Sequence, residues 1–447
     1  VTPQPKRQLS ELLLVVGLML LGLVLRIGVL RHYWNDLNSD PDIYLALATG
    51  LRDGQGFLAP GTDTPTAFRP PLYPLILSLV CRPDEQLSRG VLQIVLSLGA
   101  LPLTWISARQ LGLGRLSRLL AVGGMAMDPL LLRYVTYPMT ETFCALLIAG
   151  LLVCLTRRNS PGPAASFITG CVFGLCVLSR PTFWAFGAVY VCAGGLQALI
   201  CQTSSNKIIS PGIRTFLTRQ VLPAALATAL CVAPWVIRNL LVMGSPILMT
   251  THGGYTLLLG NNPAFYREVV LQPLGTIWDG SQGAGQAGWV QNLEEQRAAL
   301  QIDGEQNVDR WMSSLAWKCI RNHPVTFLRA ALLKFCWFWN IVPHAPAAAG
   351  VSNALRLAVG IYYIGLWACL LGGLIRIGFR GQTLTGSWRQ WGAPVLLILI
   401  MSAVHLLYWS DARMRAPLMP AVVLVAAALF SPRRPEDPAL SVTAHAS

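Results

Sequence analysis

Residues 11–30 read ELLLVVGLMLLGLVLRIGVL. Twenty residues of α-helix extend about 30 Å, the thickness of a bilayer's hydrocarbon core, and a helix satisfies its own backbone hydrogen bonds there. The run is too long and too Leu-rich for a secretory signal. No small-residue cleavage site precedes Arg31, His32, Tyr33 and Trp34, so it reads as a retained anchor. Outward from it, nine further stretches have similar character: 88–108, 117–136, 138–156, 163–179, 182–201, 220–240, 353–375, 391–409 and 415–431.

The whole chain agrees with its first span. It is 53% hydrophobic and 12% charged, with a mean hydropathy of +0.51, which excludes a water-soluble globule. The expected fold class is an all-α polytopic membrane protein of about ten transmembrane helices. One transmembrane domain is expected over 1–431, followed by a polar cytoplasmic tail, 432–447.

A net charge of +14 raises nucleic acid as a partner, but in a membrane protein the placement of charge decides more than its sum. With a cytoplasmic N-terminus, Lys6, Arg7, Arg109, Arg115, Arg118, Arg157, Arg158, Lys207, Arg214, Arg219, Arg376, Arg380, Arg389, Arg433 and Arg434 all fall inside. Apart from Glu11, Glu436 and Asp437, the acidic residues lie in outer loops or near outer span ends, as do Asp128 and Glu141. The expected location is therefore the inner (plasma) membrane, with membrane lipids as surroundings and no nucleic acid as partner. The cysteines, among them Cys144, Cys154, Cys171, Cys176, Cys192 and Cys231, fall mostly within spans and show no metal-type or disulfide spacing.

Two stretches interrupt the alternation of span and short loop. In 31–87, a helix-like pattern at 43–51 is followed by turns at Gly54 and Gly56. After Pro70-Pro71, an apolar run at 71–80 is too short to cross and is expected to lie in the interface. In 241–350, a Gly- and Asn-rich part precedes a helical part from about Glu294 to Asn322. The aromatic segment 324–341 reads as interfacial or re-entrant, because a span there would place the basic 376–390 loop outside.

Ionisable groups at the membrane surface are the candidates for chemistry. Asp40 and Asp42 can accept a proton from a hydroxyl, or can be turn residues with Asp42 as a helix N-cap. Arg69, Arg180, Arg238, Arg413 and Arg415 sit at expected outer span ends, where a guanidinium matches phosphate oxygens or snorkels to lipid headgroups. Glu141 opens a span, and either takes a direct catalytic or acceptor-binding role or complements a helix N-terminus. Asn261 and Asn262, in Gly260-Asn261-Asn262-Pro263, offer amides for sugar hydroxyls or for turns. His252, His323, His344 and His405 have no ligand spacing, so no metal and no cofactor are expected. A transporter or flippase of lipid-linked saccharides also needs many spans. It predicts charges along a midplane path, whereas these cluster at span ends.

Taken in order, several motifs resemble a known family. Asp40 four before Tyr44, Gly54-Gln55-Gly56-Phe57, Phe68-Arg69-Pro70-Pro71-Leu72-Tyr73-Pro74, and Thr140-Glu141-Thr142-Phe143 come first. Leu178-Ser179-Arg180-Pro181, Pro234-Trp235 with Arg238-Asn239, Gly254-Tyr255 to Pro263, and Arg413 to Pro417 and Pro420 follow. This set, spanning most of 35–420, resembles the GT-C glycosyltransferases of the bacterial protein-mannosyltransferase-like and aminoarabinose-transferase-like group. The resemblance implies an inverting transfer of a sugar from a polyprenyl-phosphate donor to a hydroxyl of a glycan, lipid or protein acceptor on the extracytoplasmic side. It makes Asp40 the candidate general base, Arg69 and the other arginines donor-phosphate ligands, and Tyr44, Tyr73, Asn261 and Asn262 sugar-binding candidates. Aminoarabinose-type relatives carry Glu where this chain has Phe68, and no soluble C-terminal domain is expected.

Overall fold

The computed structural model describes residues 5–81, 86–157, 161–203, 212–278, 285–342, 351–380 and 384–432. The tail from 433, with Arg433 and Arg434, and the loop residues Arg158, Lys207 and His344 lie outside them. In chain order the helices are α1 (Pro5–His32), α2 (Tyr44–Arg52), α3 (Leu72–Val80), α4 (Gln86–Gln110), α5 (Arg115–Met127), α6 (Pro129–Tyr134), α7 (Thr140–Leu155), α8 (Pro163–Ser179) and α9 (Phe183–Thr203). Then come α10 (Ile213–Phe216), α11 (Leu222–Met243), α12 (Gly253–Leu259), α13 (Pro263–Phe265), α14 (Gly285–Ala299), α15 (Glu305–Asn322), α16 (Pro324–Phe338), α17 (Asn353–Arg380), α18 (Leu384–Leu407) and α19 (Met419–Ala427). Among the described residues the β-structure is one isolated bridge, Leu58 to Pro65. The protein is an all-α polytopic membrane protein.

Among the described residues, seven helical segments are long and apolar enough to cross a membrane: 8–32, 86–110, 183–200, 213–243, 353–378, 390–407 and 412–430. Helices α7 and α8 are apolar but shorter. The expected span 117–136 is not one helix. It breaks between Met127 and Pro129, where Asp128 accepts a hydrogen bond from Leu131 N and caps α6. The cause is Pro129, which has no N–H and whose ring would meet the carbonyl four residues back, that of Met125. The second loop also differs from expectation. Its helical part is two helices, α14 and α15, separated by a turn with Gln301 at φ 52° and Gly304 at φ 80°. Helix α16, at 15 residues, is not among the crossing segments.

Packing grades from the periphery to the centre. On α1, Leu13, Leu20 and Val24 are exposed, as a lipid-facing helix requires, whereas every residue of α19 is buried. Helices α8 and α11 meet backbone to backbone: a Cβ on Gly170 would stand 2.1 Å from Ala224 O, and Thr228 Oγ1 donates to Gly170 O at 3.1 Å. Small residues let membrane helices approach this closely, where packing rather than water exclusion drives association. Arg26 of α1 is fully buried. Its guanidinium donates to Ser97 Oγ on α4 (2.8 Å) and to the Ala126 and Met125 carbonyls that end α5 (3.0 and 3.4 Å).

Candidate active site

The short helix α2 opens on Asp40-Pro41-Asp42-Ile43, and the two carboxylates take different directions. Asp40 accepts hydrogen bonds from Leu45 N (3.0 Å) and Ala46 N (2.9 Å), so its side chain satisfies the open N–H groups of the first helical turn. Asp42 makes no capping bond. Ile43, held at φ 59°, is the residue at the cap position. Such a conformation is costly for a β-branched side chain and persists only where its neighbours are fixed. Here they are: Asp42 Oδ1 lies 2.8 Å from Arg69 Nη2 and Oδ2 lies 3.2 Å from Arg413 Nη1. The reading of Asp42 as N-cap is therefore corrected, since Asp40 does the capping and Asp42 is tied to two arginines.

The surroundings push the two acids apart. Burial raises Asp40 above the usual carboxylate range, against the pull of the backbone N–H groups of Ala46, Leu45 and Tyr44. Burial would raise Asp42 as well, but Arg413 and Arg69 outweigh it and hold the carboxyl below its usual value.

A second acid extends the cluster. Glu141, at the start of α7 and almost fully buried, pairs with Arg180 just beyond α8 at 2.6 Å. Thr140 Oγ1 also accepts from Arg180 Nε (3.2 Å) and Nη2 (3.1 Å). Arg413 links the two acids, with Nη1 3.2 Å from Asp42 and Nε 4.0 Å from Glu141, and Nε also lies 3.7 Å from Asp411. Three guanidinium groups, the half-buried carboxylate of Asp42 and the buried one of Glu141 thus converge from the first loop, the turn before α3, the starts of α7 and the last span, and the end of α8. The Arg69 guanidinium lies over the rings of Tyr44 (5.7 Å) and Phe68 (5.3 Å). Glu141 Oε2 and Arg69 Nε are buried and make no hydrogen bond among the described residues.

His252, read in the sequence only as a non-ligand, also faces this cluster. Its ring packs on Phe68 at 4.3 Å and on Tyr255 at 5.3 Å. Burial and the charge of Arg69 push its pKa down to about 3, so the imidazole is neutral. The second loop locks the first in place. Glu305 on α15 accepts from Thr66 Oγ1 (2.8 Å) and Ala67 N (3.0 Å), and Thr251 N donates to Ala67 O (3.0 Å). Asp309 accepts from Gly254 N at 2.6 Å, and a Cβ on Gly254 would stand 2.0 Å from Asp309 O. Nothing in the spacing of Glu305 or Asp309 signals this, because their partners are two backbone N–H groups and one hydroxyl lying 55 to 239 residues away.

Five candidates are used elsewhere. Arg238 donates to Thr66 O (2.8 Å) and Phe57 O (2.7 Å), bracing the first loop from behind. Arg415 is buried, donates to Phe338 O (2.7 Å) and lies over Tyr363 (4.4 Å). Tyr73 is buried, stacks on Phe143 and accepts from Gln93 Nε2 (2.8 Å). Asn261 donates to Leu257 O (2.8 Å) and Leu407 O (2.7 Å), and accepts from Tyr266 and Lys334. Asn262 caps α13 through Phe265 N (2.8 Å) and donates to Leu258 O (3.0 Å). The polar atoms named here are taken by protein partners, whereas Arg415 Nε is buried with no hydrogen bond among the described residues.

No family profile matches the chain, and no curated protein matches it by sequence. Solved structures do. The Archaeoglobus fulgidus oligosaccharyltransferase tethered with an acceptor peptide containing the NVT sequon superimposes with a TM-score of 0.53 at 14% identity, over 94% of this chain and 49% of that one. The oligosaccharyltransferase AglB of the same organism, in complex with an inhibitory peptide and a dolichol-phosphate, gives 0.51 at 15% identity, over 95% and 50%. ArnT from Cupriavidus metallidurans bound to undecaprenyl phosphate gives 0.39 at 11% identity, over 91% and 77%, too low to bear on the fold. The chain spans about half the length of the oligosaccharyltransferase structures it matches. At these identities the likeness is one of architecture: the chain shares the fold of the matched half of those oligosaccharyltransferase structures.

Proposed function

We propose that the chain is an integral membrane glycosyltransferase that moves a sugar from a polyprenyl-phosphate carrier to an acceptor hydroxyl, with inversion, on the extracytoplasmic face of the inner membrane. The observation that carries this reading is the cluster of Arg69, Arg180 and Arg413 around Asp42 and Glu141 at the end of a GT-C bundle. A lipid phosphate keeps its tail in the bilayer and presents an anion at its surface, which guanidinium forks match in geometry as well as charge.

The chemistry divides between the two acids of the first loop. Asp40, with its raised proton affinity, takes the proton of the acceptor hydroxyl as that oxygen bonds to the anomeric carbon. Its capping bonds use only part of a carboxylate's acceptor capacity. The bond from the anomeric carbon to the phosphate oxygen breaks, its electron pair leaves with the lipid phosphate, and the arginines stabilise the charge that develops there. Asp42 orients Arg69 and Arg413, and Tyr44 walls the site beside Arg69. AglB in complex with a dolichol-phosphate offers a precedent for a polyprenyl phosphate on this fold.

Incubating purified protein with a panel of polyprenyl-phosphate sugars and membrane extract, with mass spectrometry of the products, tests the reading. A sugar-bearing product that requires Arg69 is the expected result. Absence of transfer from every donor, in protein shown to be folded, overturns it.

A further inference from the structure

The second loop holds a cleft to which none of the cluster residues contributes. It has a volume of about 460 Å³, inside the ~300–1,000 Å³ range of small-molecule sites, and lies between α12, α13, α14 and α15. Leu258 and Leu293 form an apolar floor, and the Trp289 indole stands half-buried in the wall. Gln296, Lys318 and Asn322 line it from α14 and α15, exposed and with side chains that make no hydrogen bond among the described residues.

That mixture has a chemical meaning. A sugar ring presents an apolar C–H face and a rim of hydroxyls that both donate and accept. The face suits an indole, and the rim suits primary amides, which carry a donor and an acceptor on one planar group. An extended peptide would instead call for an unpaired strand edge, and none is present among the described residues of this loop.

The cleft is joined to the arginine cluster by rings. Phe68 beside Arg69 packs on His252 at 4.3 Å, His252 on Tyr255 at 5.3 Å, and Tyr255 on Trp289 at 6.3 Å. The N-terminal end of α12 therefore reaches the cluster, while Leu258 near its other end lines the cleft.

We infer that this cleft is a saccharide-binding site, and that it holds a glycan acceptor beside the transfer site. The word acceptor rests on the function proposed above; the binding of saccharide does not. The test uses the full chain in phospholipid nanodiscs, free of maltoside detergent, and saturation-transfer NMR with mannotriose, N-acetylchitotriose and trigalacturonate. At least one trisaccharide should receive saturation, and the double variant Gln296→Ala, Asn322→Ala should weaken its affinity by about tenfold or more. Both positions are exposed, so the variant keeps its fold. Failure of all three to bind, or equal binding to the variant, overturns the inference. So does saturation of an uncharged tripeptide, lost in the variant, where no trisaccharide responds. Transfer without trisaccharide binding would sink the cleft alone; binding without transfer would sink the proposed activity and leave the cleft standing.

Discussion

One carboxylate oxygen of Asp42 stands 3.2 Å from Nη1 of Arg413, a residue 371 positions further along the chain. The first loop and the last span are thus held at one charge, with Arg69 on the other oxygen at 2.8 Å. Asp42→Asn should abolish the ion pairs, leaving the half-buried Arg69 without its carboxylate and Arg413 with only its longer contacts to Glu141 and Asp411, a loss smaller than the about 3–5 kcal/mol of a fully buried pair. Thermal unfolding of the purified variant measures this, and a midpoint equal to that of the wild type would show the pairs to be incidental.

Arg69→Ala should weaken donor binding and turnover, and Arg69→Lys should recover part of both, because the charge survives while the two-pronged geometry does not. Titration with a fluorescent polyprenyl phosphate reads donor affinity directly. Equal affinity in the Ala variant counts against a phosphate at this place.

Asp40→Asn keeps one oxygen, which can accept from either Leu45 N or Ala46 N where the carboxylate's two oxygens serve both, and removes the base. It should fold, bind donor and lose transfer by on the order of 10²-fold or more. If Asp42→Asn, normalised to folded protein, loses more than Asp40→Asn, the base moves to Asp42.

The pH profile separates the same two acids. Asp40 must be ionised to act, and its value is raised, so the acid limb of the rate should have its midpoint above the ordinary 3.8. Asp42 runs the other way. Its value is depressed, so its contribution to stability is complete above 3.8 and is lost as pH falls through the lower folded-state value. Unfolding midpoints followed down through that window should show a step in the wild type and none in Asp42→Asn.

The loops that carry Asp40 and Glu305 hydrogen-bond to each other, so cysteines introduced at Thr62 and Gln286, in a background cleared of native cysteines, should label from the same side. The charge bias of the sequence makes that side the non-cytoplasmic one. Reaction of either only after the inner side is exposed would refute the proposed orientation.

Much of the fold was legible because apolar length is a direct physical demand of the bilayer, and α1, α4, α11 and α17 follow it closely. The exception, 117–136, shows what apolarity alone misses. Asp128-Pro129 costs little in a hydropathy sum, yet Pro129 breaks the helix ladder. The site was legible in part for a related reason. A motif reveals which side chains are present but not where their polar atoms point, so Arg69, Arg180 and Arg413 could not be told from Arg238 and Arg415. The first three meet carboxylates; the other two are spent mainly on backbone carbonyls. The exchange between Asp40 and Asp42 has the same origin, since both lie close enough before α2 to cap it, and the αL turn at Ile43 decides which does.

Arg26 carries a consequence for the order in which the chain is assembled. During synthesis α1 emerges with a guanidinium near its C-terminal end, costing roughly 2.5–3.5 kcal/mol if it must be placed at mid-bilayer without partners. Its acceptors, Ser97, Met125 and Ala126, are made 71 to 100 residues later. Until they arrive, the first span has reason to remain loose or shallow, and its final seating waits on its successors. The carbonyls that anchor it are those of the turn where Pro129 ends α5, so the interruption in one helix supplies the mooring for another.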